Sequence, residues 1–166
     1  MKHQEKKYRV DSFEDIEKRL KGAVAEPGKT TTSTHYYGEH ADSGVVKLVT
    51  YDDRDEIHIL DEAEGKFSLR ENIPVENKEA GLRRLKDKGY NSVSVVKMTH
   101  ADYDYKSGLV GLYLINDFLH SVILNFPEGQ HARVEQELGL DTAEVIKTPY
   151  NKYLEELGHL HLIKLG

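Results

Sequence analysis

The stretch His3-Gln4-Glu5-Lys6-Lys7-Tyr8-Arg9-Val10 decides how the fold is read. On a strand, side chains two apart share a face. His3, Glu5 and Lys7 therefore project together, while Tyr8 and Val10 turn toward an apolar layer. An imidazole, a carboxylate and an ammonium on one face suit a wet, charged cavity better than a dry core. The competing reading is a solvated edge strand whose charges blunt it.

Working outward, residues 30–37, 45–51, 56–60, 67–75, 92–100, 110–116 and 119–126 also read as strands from their β-branched, aromatic and alternating content. With the first, that makes eight. Lys106-Ser107-Gly108 and Asp117-Phe118 are short enough to join antiparallel neighbours. Helices are expected after Ser12, whose hydroxyl would cap Phe13, Ile16 and Leu20, and after Asn77, ahead of Leu82 and Leu85. Ala132, Val134 and Leu138 carry a third, Asp141 with Glu144 reads as a capping box, and Thr148-Pro149 opens a last helix. His159 to Ile163 alternates as a possible closing strand. Several strands are polar on both faces. A sheet on a dry core keeps its inner face clean, whereas a barrel with a wet lumen puts charges inside and apolar residues outside, under helices. The expected fold class is α+β: an eight-stranded antiparallel β-barrel with helices packed outside, in a single domain over 1–166.

Composition narrows the partners. The 166 residues are 38% apolar and 31% charged, with a net charge of -6. No global basic field draws such a chain to nucleic acid or membrane, so an anion site must be a local cationic patch. Cysteine is absent, which excludes disulfides and thiolate metal sites. No apolar run approaches the ~20 residues of a membrane span, and the sequence predicts a cytoplasmic protein.

The order of strands and helices, opening on a charged alternating strand, resembles the CYTH family of triphosphate tunnel metalloenzymes, which includes class IV adenylate cyclases, thiamine triphosphatases and tripolyphosphatases. The likeness runs from His3 to the Tyr150-Asn151-Lys152-Tyr153-Leu154 helix, through His35-Tyr36-Tyr37, Phe67-Ser68-Leu69-Arg70-Glu71-Asn72-Ile73 and Lys88-Gly89-Tyr90. Family members open with Glu-x-Glu-x-Lys, and this chain has His3-x-Glu5-x-Lys7. Further on, one cation is kept at Lys47 while Val49 replaces the next. A lysine is missing from Ile57-His58-Ile59-Leu60, Arg70-x-Asn72-x-Pro74 keeps only its arginine, and Lys97-x-Thr99 keeps only its lysine. The family's later aspartate falls at Asn116, with Asp117 one residue away, and its closing Glu-x-Glu at Ile123 and Asn125.

The resemblance implies that Lys7, Lys47, Arg70 and Lys97 hold phosphate oxygens, and that Glu5, with His3, is what remains of a metal site. Mg²⁺ or Mn²⁺ would then bind weakly, since hard cations need oxygen ligands. The implied function is binding of a triphosphate-containing nucleotide, thiamine triphosphate or inorganic polyphosphate, with weak or no catalysis. One alternative is an active metal-dependent triphosphatase or class IV-type adenylate cyclase, with Asp117, Glu71 and Glu76 supplying ligands from shifted strands. Another is an interaction protein that keeps the barrel as a scaffold.

Overall fold

The computed structural model describes residues 3–23, 25–39 and 44–166. Among them the chain runs β1 (His3–Val10), α1 (Glu14–Gly22), β2 (Glu26–Gly38), β3 (Val45–Thr50), β4 (Asp55–Ala63), β5 (Lys66–Val75), α2 (Lys78–Asp87), β6 (Ser92–Tyr105), β7 (Gly108–Ile115), β8 (Leu119–Pro127), α3 (His131–Glu137), β9 (Glu144–Ile146), α4 (Tyr150–Glu156) and β10 (Leu162–Lys164). The strands form one sheet in the order β10-β6-β2-β3-β4-β5-β1-β8-β7, and a further β6–β7 pairing closes eight of them into a barrel. Among the described residues no helix is long and apolar enough to cross a membrane.

Chain contacts divide the molecule into two compact units, and β2 and β6 each run through both. The first takes Met1–Thr31 and Thr99–Lys147. Here β1 pairs antiparallel with β8, setting Glu5 opposite Asn125 and Lys7 opposite Ile123, and β8 pairs with β7, setting Gly111 opposite Ile123. Tyr8, Val110, Leu112, Val122, Leu124 and Phe126 form one apolar face, covered by Ile16 and Leu20 of α1 and Val134 of α3. Tyr8 thus turns inward to a core as the alternation of β1 predicts, and Glu5 and Lys7 take the opposite face.

Three local expectations in this unit are corrected. Phe13, not Ser12, is the N-cap of α1, and no side chain caps it. The Asp141/Glu144 capping box does not form; Glu144–Ile146 is a strand on the edge of β1, with Arg9 opposite Glu144. Ile146 is fully buried there, and burial of a β-branched residue beside an open strand edge outweighs the local cap signal. The β7–β8 turn is centred on Asn116 and Asp117, whose φ angles are 50° and 62°. That is the primed hairpin geometry Asn and Asp tolerate best. Neither residue therefore stands on a strand face.

The second unit takes Thr32–Met98 and Thr148–Gly166. Its registers set Tyr37 opposite Lys47, Lys47 opposite His58, and His58 opposite Asn72. These residues form one row across β2, β3, β4 and β5. Tyr36, Leu48, Ile57, Ile59 and Val93 lie on the other face and pack with Leu85 of α2. Asn77 caps α2 as its sequence predicts, its Oδ1 accepting the Ala80 N–H at 2.8 Å. Gly81 lets α2 approach β3 closely, because a methyl there would come within 2.4 Å of Leu48 Cδ1. The closing strand also forms, with Ile163 opposite Val93.

Candidate functional site

The two faces of β1 do different work. On the core side, the ammonium of Lys6 and the hydroxyl of Tyr8 both donate to Glu135 Oε2, at 2.6 and 2.5 Å. Burial pushes the Glu135 carboxyl up, but these two bonds outweigh it and leave the group below the usual carboxylate range. Burial, aided by the Glu135 bond, drives the Tyr8 hydroxyl well above the usual phenol range. This is a structural clasp between β1 and α3.

The opposite face carries Glu5 and Lys7. Lys7 is only 4% exposed, a rare placement for a lysine. Beside it, Glu5, Asp102, Gly111, Tyr113, Ile123 and Asn125 line a cavity of about 110 Å³. His100 stacks on Tyr113 with ring centroids 4.4 Å apart, and its Nε2 lies 3.5 Å from Asp102 Oδ2. Asn125 Oδ1 is buried with no hydrogen-bond donor.

In the second unit the face opposite the core is built around Lys47. Its ammonium lies 4.9 Å from the centre of the Tyr37 ring and donates to the Tyr37 hydroxyl at 3.4 Å. His58, across the strand pair, is held neutral, its pKa pushed down to about 4, first by burial and then by the Lys47 charge; Glu56, 3.6 Å away, pulls in the other direction. Ser33 and His35 are paired and buried on the same face, at 2.8 Å. The row therefore offers one cation flanked by neutral polar groups.

Of the residues assigned from the sequence, Lys7 and Lys47 stand on faces opposite the two cores. Lys97 does not share the face of Lys47, and Arg70 falls in a bulge. A bulge sets Leu69 opposite Leu60 and Glu71 opposite Ile59. Arg70 is the extra residue between them, 58% exposed, with Nε 3.7 Å from Asp61. Lys97 has the parity of Val93 and Val95, which join the α2-packed core, so it extends from that face and is exposed. His3 does not join Glu5 at the cavity: it lies at the open end of β1 with Nε2 3.3 Å from the Ser107 carbonyl. Among the described residues no group of three or more His, Cys, Asp or Glu side chains is arranged to hold a metal. Asp117 sits in its turn, Glu71 pairs with Ile59 on the core-side parity, and Glu76 lies beyond β5, so none supplies the shifted ligands weighed from the sequence. No sequence motif marks Asp102 or His58. Asp102 was legible only by carrying the parity of Met98 and His100 two residues past the expected strand end.

Comparison with solved structures fixes the fold. The chain superimposes on the PH1012 protein from Pyrococcus horikoshii with a TM-score of 0.77 at 20% identity, covering 89% of this chain and 96% of that one. A putative adenylate cyclase from Vibrio parahaemolyticus gives 0.65 at 14% identity, over 93% and 98% of the two chains. The chain shares the fold of these proteins. A putative adenylyl cyclase from Hippeastrum, described as having a dominant triphosphatase activity, gives 0.57 at 11% identity over 96% and 97%. No protein-family model matches the sequence, and no curated protein matches it.

Proposed function

We propose that this protein binds a small polyanion, namely a triphosphate-bearing nucleotide, thiamine triphosphate or inorganic polyphosphate, with weak or no turnover. The observation that carries the reading is Lys47, on the strand face opposite the second unit's core and flanked by Tyr37 and a neutral His58. A lysine ammonium offers three donors and a compact charge, and charge-assisted bonds to phosphate are about twice as strong as neutral ones. His58 would donate a further neutral N–H, and Tyr37 its hydroxyl. Arg70 and Lys97 are left out of this assignment because of where their strands turn them.

Calorimetry with tripolyphosphate in chelator at low salt tests it. One-to-one binding is expected, weakening as salt rises and falling about tenfold in Lys47→Gln, the equivalent of ~1.4 kcal/mol. No heat from the wild type would refute the proposal. The second reading, a metal-dependent triphosphatase, is favoured by the Asp102 carboxylate at the cavity that Glu5 lines. It predicts phosphate release from tripolyphosphate with Mn²⁺ that Glu5→Gln abolishes.

A further inference from the structure

We infer that a cleft on the helical side of the first unit binds a small organic amine in its ammonium form. Its apolar body would sit on Val10, Ile16 and Leu140, with the charged nitrogen held by Asp11, Ser12 and Asp15. The cleft shares no lining residue with the cavity beside Glu5 and Asp102, so the inference does not rest on the polyanion reading.

The cleft has the size and floor of a ligand site. The end of β1, the first turn of α1, the end of α3 and the approach to β9 surround a cavity of about 590 Å³. Small-molecule sites typically span ~300–1,000 Å³. The floor is the edge of the first unit's core: Ile16 and Leu140 are buried, and Val10 packs against the same cluster. A hydrocarbon body covering that edge gains by removing apolar surface from water.

The rim decides the charge of the ligand. Ser12 and Asp15 have the spacing of a capping box, yet Phe13 holds the N-cap position of α1 and no side chain caps it. Both residues line the cleft instead, together with Asp11. Glu14 and Glu17 already supply acids to the first turn, so the helix dipole does not require Asp15. Among the described residues no ion pair or hydrogen bond engages the side chain of Asp11 or Asp15. Across the cleft, Arg9 stands opposite Glu144 in the β1–β9 register, so the cation on that wall has an acid beside it. An ammonium offers three donors and no acceptor, which suits two carboxylates and a hydroxyl. A phosphate or carboxylate would meet like charge there. The cleft therefore has the opposite preference to the Lys47 face.

The test follows amide nitrogen–proton NMR spectra of the full chain during titration with phenethylamine, and with phenylpropionate as the anionic counterpart of similar shape. Phenethylamine is expected to bind in the millimolar range or tighter, shifting the amides of Ser12, Asp15, Gly139 and Thr142, while phenylpropionate binds at least tenfold more weakly. Combined Asp11→Asn and Asp15→Asn should weaken the amine at least fivefold. Thr142→Lys, at an exposed position of the rim, should do the same by placing a tethered ammonium there. The spectra themselves report folding, and Thr142→Lys decides the matter if the double variant is unstable. Absence of those shifts in the wild type, equal affinity for phenylpropionate, or undiminished amine affinity in either folded variant would overturn the site.

Discussion

The two units solve opposite electrostatic problems on equivalent surfaces. In the first, the strand face opposite the core gathers acids, Glu5 and Asp102, beside a buried amide oxygen. In the second, the matching face carries Lys47 with neutral partners on either side, Tyr37 and His58. Oxygen donors suit a cation and N–H donors suit an anion. The difference teaches that loss of motif acids need not remove every carboxylate, since Asp102 stands at the cavity with Glu5, and that the first unit still keeps an ammonium, Lys7, on the same face of β1.

The sharpest way to break this comparison is to reverse the sign of the second unit's face. Lys47→Glu should cost tripolyphosphate binding about 100-fold, ~2.7 kcal/mol, with the circular dichroism melt unchanged. Affinity retained in the folded variant would show that the second unit's face does not hold the anion. Next comes the core side of β1. Glu135→Gln weakens two hydrogen bonds that hold Lys6 and Tyr8, and urea unfolding should show a loss of about 2 kcal/mol with ligand affinity preserved.

A smaller effect is expected from His58. Its folded pKa of about 4 lies below the ordinary histidine value, so between pH 6.5 and 4 the unfolded chain binds the proton that the native chain refuses. Stability therefore falls as pH falls through that window. His58→Gln should flatten this part of the stability profile. The smallest effects belong to Arg70→Gln and Lys97→Gln, each expected to change tripolyphosphate affinity less than twofold and stability by less than about 0.5 kcal/mol.

Much of this division was legible in the sequence, though unevenly. Period-two alternation placed Glu5, Lys7 and Tyr8 correctly, because one buried face fixes a strand's register. The β1–β8 register that sets Ile123 and Asn125 opposite Lys7 and Glu5 has no such signal in the alternation. Arg70 falls in a bulge, which adds a residue without a signal in the alternation. Lys97 was misread because Val93, Val95 and Val96 make both faces of β6 apolar, so neither parity announces the core. Asp102 escaped because the alternation carries the strand only to His100, whereas Tyr105 packs into the first unit's core and extends the strand to that point.

The most direct measurement is a crystal structure of the metal-free protein grown with tripolyphosphate. The account predicts phosphate oxygens within hydrogen-bond distance of the Lys47 ammonium. Tripolyphosphate bound instead at the exposed side chains of Arg70 or Lys97, with Lys47 untouched, would contradict it.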